Sequence, residues 1–147
     1  MKIMIIAGEA SGDLHGAGVV SELKRRHPDA EIFGIGGDKM QSAGMKLIYH
    51  INEVSVMGFW EVLKHLPVIR SVEKAMLVIA QAKKPDVILL IDYPGFNLRF
   101  AEKVRGVGSK IVYYISPQVW AWNSGRVKKM KGLIDKMLVV FPFEEEI

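Results

Sequence analysis

The sequence predicts a doubly wound α/β domain built on a mainly parallel sheet. Short apolar runs alternate along the chain with stretches of helical periodicity. Glycine-bearing loops follow several of those runs, at Gly8 and Gly12, at Gly36 and Gly37, and at Gly95. One run, Val87-Ile88-Leu89-Leu90-Ile91, is apolar at every position. Such a strand suits burial on both faces, which a parallel sheet between two helix layers provides.

The elements follow in order. Residues 2–7 read as a strand, and a helix over 14–27 repeats apolar residues at Val19, Val20 and Leu23 until Pro28 stops it. Residues 31–35 form a second strand, closed by Gly36-Gly37, before a short helix over 38–43 and an apolar run over 47–51. Residues 57–66 read as a helix that Pro67 breaks or kinks. Val72, Ala75, Met76, Ile79 and Ala80 then mark a further helix ending at Pro85. After the strand 87–91, Asn97 can cap a helix running to about residue 105. A strand over 110–115, a loop over 116–123, a helix over 124–131 and a last strand over 137–141 complete the pattern.

Composition narrows the function classes. The chain has 147 residues, room for one domain and too few for two full ones. Half of the residues are apolar and 24% are charged, which excludes a disordered or collagen-like chain. No apolar run approaches the roughly 20 residues of a transmembrane helix, and the N-terminus reads as a strand without a cleavage pattern. The absence of cysteine excludes a disulfide framework and a thiolate metal site or nucleophile, and it fits a reducing cytoplasm. The formal net charge is +4, with Arg126, Lys128, Lys129, Lys131 and Lys136 crowded late in the chain. Such a cluster suits phosphate groups or serves as a solvated helix face.

Ligands of doubly wound sheets bind where the strands end, so four loops matter. The first, Gly8-Glu9-Ala10-Ser11-Gly12-Asp13, lets backbone amides approach an anion or a sugar hydroxyl. Its spacing matches neither a dinucleotide fingerprint nor a Walker loop nor a nucleophile elbow. Ser11 and Asp13 suit ligand contact or helix capping, and His15 follows in the first helical turn, facing a ligand or serving the packing. In the loop Asp92-Tyr93-Pro94-Gly95-Phe96-Asn97, a carboxylate closes an apolar strand. Desolvation there raises its pKa and makes it a candidate general base, the alternative being a turn contact. The loop over 116–123 carries Trp120 and Trp122, whose indoles suit sugar rings, acyl chains or the core.

Further stretches stand in order with these: Gly34-Ile35-Gly36-Gly37, Met57-Gly58 with Glu61-Val62-Leu63, Ser116-Pro117-Gln118-Val119-Trp120-Ala121-Trp122 with Arg126, and Phe141-Pro142-Phe143-Glu144. Together they resemble the N-terminal half of the lipid A disaccharide synthases. The resemblance implies an inverting glycosyltransferase of the GT-B arrangement, two facing Rossmann-like domains, needing no metal or cofactor. Its family joins UDP-2,3-diacylglucosamine to 2,3-diacylglucosamine 1-phosphate through a β-1,6 bond, giving the lipid A precursor and UDP. It implies Asp92 as catalytic base, with His15 as the second candidate. Substrate contacts are then expected from Gly8, Glu9, Ser11, Gly12, Asp13, Asn97, Trp120, Trp122 and Arg126.

The family is about twice this long or more, so residues 1–147 are expected to be an acceptor-binding domain, a fragment without its C-terminal donor domain and nearly inactive alone. The segment 57–70 carries Met57, Phe59, Trp60 and Leu63 beside basic residues, which suits an acyl or membrane contact, the alternative being that Phe59, Val62, Leu63 and Leu66 pack on the sheet. A location in the cytoplasm, peripheral at the inner face of the cytoplasmic membrane, follows from that reading, with no nucleic-acid partner. Two other classes compete. A nucleotide- or flavin-binding flavodoxin-like module predicts a coloured cofactor, and a non-catalytic RNA- or membrane-binding module predicts steep salt dependence.

Overall fold

The computed structural model describes residues 1–54, 59–115 and 132–138, with side chains described outside 59–66 and 137–138. Among the described residues six parallel strands form one sheet: β1 (Lys2–Ala7), β2 (Glu31–Gly36), β3 (Lys46–His50), β4 (Val87–Ile91), β5 (Lys110–Tyr114) and β6 (Lys136–Leu138). Their order is β3-β2-β1-β4-β5-β6. The chain therefore builds outward from β1 in one direction, returns, and builds outward from β4 in the other. The reversal lies between β1 and β4, which pair from Ile3 with Val87 to Ala7 with Ile91. A crevice opens above such a switch point.

Alternation along the strands feeds two cores. Met4 and Ile6 of β1 pack with Phe33, Ile88, Leu90, Ile111 and Tyr113 on one face. Ile3, Ile5 and Ala7 pack with Ile32, Leu89 and Ile91 on the other. Helices α4 (Phe59–Lys83) and α5 (Pro94–Val104) cover the first face through Ile69, Val72, Met76, Phe96 and Phe100. Helices α1 (Ala10–Arg26) and α2 (Asp38–Ser42) cover the second through Val20 and Met40. The doubly wound α/β expectation holds. No described helix is long and apolar enough to cross a membrane.

Several boundaries differ from the sequence expectation. Helix α1 starts at Ala10, not Leu14, so Ser11, Gly12 and Asp13 form its first turn rather than a loop. Gly12 permits this because its Cα faces Ala7, where an added Cβ would lie 3.1 Å from the Ala7 Cβ. Ile51 leaves β3 and opens a short helix, α3 (Ile51–Val54). Pro67 does not divide α4, which runs through it for 25 residues. An interior proline costs about 3 kcal/mol. Beyond it Ile69, Val72, Met76 and Ala80 bury a continuous stripe on the sheet, and burial of this size outweighs one lost hydrogen bond. Residues 116–131 and 139–147, on which the tryptophan loop, its following helix and the end of the last strand were expected, lie outside the described residues.

Candidate functional site

The crevice is built from the exits of β1 and β4. Gly8 and Glu9 leave β1 and lead into α1, whose N-terminus carries no side-chain cap. The unpaired amides of a first helical turn attract oxygen atoms carrying negative charge. Glu9, Ser11 and His15 are exposed along this entry, whereas Gly8 and Gly12 are buried beneath it.

Asp92 leaves β4 in a left-handed conformation, φ 45°, and Tyr93 repeats it at φ 47°. Each such residue that is not glycine stores about 1–3 kcal/mol. The Tyr93 ring then lies across Gly8, so closely that a Cβ there would fall 2.1 Å from the ring carbon Cδ1. This approach explains the glycine at position 8. The Tyr93 hydroxyl donates to the Val54 carbonyl at 2.6 Å, and its ring stacks on Phe96 at 6.0 Å between centroids. Tyr93 thereby joins the exits of β1 and β4 to the end of α3.

Asp92 is partly buried, and that burial pushes its pKa up. The Tyr93 backbone N–H and the positive charge of a protonated His15 pull in the opposite direction, less strongly. His15 therefore lies within electrostatic reach of the carboxylate. Its ring meets Tyr114 edge to face, with centroids 6.4 Å apart, and lines an open groove of about 580 Å³ beside α1. The ring is thus held from one side and accessible from another. A carboxyl with raised pKa beside an exposed imidazole can accept a proton from a bound hydroxyl.

Two expected contact residues have other employment. Asp13 is 5% exposed, and its carboxylate accepts the backbone N–H groups of Gly37 at 2.8 Å, Met40 at 3.0 Å and Lys39 at 3.2 Å. It caps α2 from α1 and so fixes the two helices together. Asp13→Ala is expected to lose on the order of 3 kcal/mol in a denaturant melt, because three amides lose their acceptor. Asp13→Asn, which keeps an acceptor oxygen, should lose less than half of that. Equal losses in the two variants would show that the amides do not matter.

Asn97 is fully buried and does not cap α5, whose N-cap position is Tyr93 with Pro94 opening the helix. Its Nδ2 donates to the carbonyls of Asp92 at 2.8 Å and Ile91 at 3.3 Å. Sequence reasoning missed Tyr113, which is wholly buried in β5 and donates its hydroxyl to the same Asp92 carbonyl at 2.5 Å. The available signal was a phenol in a buried strand, since its hydroxyl needs a partner. Met57, Trp120, Trp122 and Arg126 lie outside the described residues, and Phe59, Trp60 and Leu63 are placed only as the start of α4.

The family model described as lipid-A-disaccharide synthetase matches residues 3–147. A lipid-A-disaccharide synthase of Myxococcus xanthus is 46% identical, covering 99% of this chain and 38% of the relative. That of Geobacter sulfurreducens is 50% identical, covering 97% of this chain and 37% of the relative. The chain thus spans under two fifths of the length of these curated relatives.

Among solved structures, a UDP-GlcNAc 2-epimerase of Neisseria meningitidis, bound to UDP-GlcNAc, superposes with a TM-score of 0.63 at 12% identity, covering 95% of this chain and 40% of that one. An E. coli heptosyltransferase with ADP gives 0.54 at 13% identity, covering 96% and 42%. Likeness at such identities shows the fold, the α/β half of a GT-B architecture.

Proposed function

The chain belongs to the lipid-A-disaccharide synthetase family, and on that premise we propose that it carries the acceptor half of an inverting glycosyltransferase. The acceptor is 2,3-diacylglucosamine 1-phosphate and the donor UDP-2,3-diacylglucosamine. The 6-hydroxyl oxygen of the acceptor attacks the anomeric carbon of the donor. As the new C–O bond forms, the bond to the UDP oxygen breaks and UDP leaves with the electron pair. The hydroxyl proton passes to a base on this chain. Asp92 is that base, and His15 stands beside it as the group that orients the hydroxyl or steadies the carboxylate.

The observation that supports this reading is the placement of Asp92. A partly buried carboxyl with raised pKa stands at the switch-point crevice, next to an uncapped helix N-terminus and an exposed histidine. Glu9 and Ser11 are exposed at the same entry and suit sugar hydroxyls or a phosphate, with Gly8 and Gly12 buried beneath them to let the backbone approach closely. The segment 57–70, with Met57, Phe59, Trp60 and Leu63, is proposed to meet the acyl chains at the inner face of the cytoplasmic membrane. Trp120, Trp122 and Arg126 complete the proposed acceptor contacts. A flavodoxin-like or RNA-binding module leaves the family match unexplained.

Calorimetry on this chain tests the division of labour. Diacylglucosamine 1-phosphate in detergent is expected to bind, with little heat from UDP and weaker binding of lipid-free glucosamine 1-phosphate. Tight UDP binding with indifference to the lipid would mean that the chain holds the donor instead.

A further inference from the structure

We infer that Asn97 and Tyr113 are positioning residues for this reaction, gripping the Asp92 carbonyl from α5 and β5 so that the Asp92 carboxylate stands fixed in the crevice. The inference rests on the reading of Asp92 as the base.

Two successive left-handed residues, Asp92 and Tyr93, leave β4 where neither is glycine. Such strain persists only when the surroundings over-determine it. The surroundings of Asp92 do so. Its carbonyl accepts the Tyr113 hydroxyl at 2.5 Å and Asn97 Nδ2 at 2.8 Å, and its N–H donates to the Tyr114 carbonyl at 3.0 Å. Both backbone polar groups of Asp92 are therefore tied, and the direction of its side chain follows from the backbone.

The orientation of the Asn97 amide is set by what it faces. Two carbonyl oxygens, of Ile91 and Asp92, surround one terminal atom, which must then be the nitrogen. Its Oδ1 is buried with no hydrogen-bond partner among the described residues. An unpartnered oxygen of this kind is unfavourable, so the amide contributes here through its donor. Asn97 and Tyr113 are both wholly buried, so neither reaches a substrate directly. Their effect on chemistry runs through the carboxylate they hold.

The test uses the full-length protein and two variants. Tyr113→Phe keeps the buried ring and removes only the hydroxyl. Asn97→Asp keeps the shape and turns an acceptor toward two carbonyls. Both are expected to lower kcat about tenfold to a hundredfold, the scale of a catalytic group displaced by about 1 Å, with little change in KM for the acceptor. In Tyr113→Phe, which adds no charge near Asp92, the acid limb of the kcat pH profile should also move to lower pH, because a loosened Asp92 gains water. A purely structural role would lower Tm and leave that limb where it is. Wild-type kcat and an unmoved limb in Tyr113→Phe, while Asp92→Asn abolishes turnover, would overturn the positioning role and leave the base standing. Full turnover in Asp92→Asn would remove the base and the positioning role together.

Discussion

Asp92→Asn is expected to lower turnover of the full-length protein by about 10²- to 10⁴-fold, the range of a lost general base, while raising its thermal stability at neutral pH. The two effects share one cause. Burial at the β4 exit disfavours the charged carboxylate, so its pKa in the fold lies above the unfolded value. A raised acid adds stability below its unfolded pKa, and that contribution disappears as pH rises through the folded pKa. The amide carries no such dependence. The variant should therefore melt higher than the parent at pH 7 and lose this advantage near pH 3. Asparagine also tolerates the left-handed conformation that position 92 adopts, a gain that does not vary with pH. Activity of the parent should rise with pH along a limb displaced upward from that of an exposed aspartate. A variant that turns over normally, or melts with the same pH dependence as the parent, would remove Asp92 from the chemistry or from its desolvated setting.

What the sequence displayed and what it concealed divide along the reach of the interactions. The five-residue apolar run at 87–91 marks β4 because a strand buried on both faces needs no distant partner to be recognised. Asp92 was legible for the same reason, as an acid standing where that run stops. The start of α1 was not legible, since Ser11, Gly12 and Asp13 are local signals of a loop. Asp13 instead reaches the amides of Gly37, Lys39 and Met40, more than twenty residues away in sequence and adjacent only once β1 and β2 pair. Pro67 misled by its local rule, because the stripe that carries α4 through it lies on the sheet. The left-handed pair at Asp92 and Tyr93 was concealed because neither residue is glycine, and its supports, Asn97 and Tyr113, come from different elements.

Gly34→Ala is expected to destabilise this chain by about 3 kcal/mol or more, a fall in Tm of about 10 °C or more for a domain of this size. Gly34 sits in β2 opposite Ile5 of β1, with φ at +149°, where side chains are strained. The Cβ of an alanine would lie 1.9 Å from the Ile5 carbonyl oxygen and 2.9 Å from its carbon. Those atoms belong to a strand paired on both sides, so they cannot yield as a flexible side chain does. The register between β2 and β3 also slips between Gly34 and Ile35, so a displaced β2 would have to reset both of its pairings. The damage should travel to the crevice, because the Gly37 amide that holds Asp13 lies just beyond the end of the same strand. Gly18→Ala is the matching control. That glycine is exposed in the middle of α1 with nothing within 4 Å of its added Cβ, so alanine should stabilise by about 0.5–1 kcal/mol. Thermal melts of the two variants should then fall on opposite sides of the parent. A Gly34→Ala chain melting within about 2 °C of the parent, less than 1 kcal/mol at this size, would mean that β1 and β2 are not held as closely as their pairing indicates.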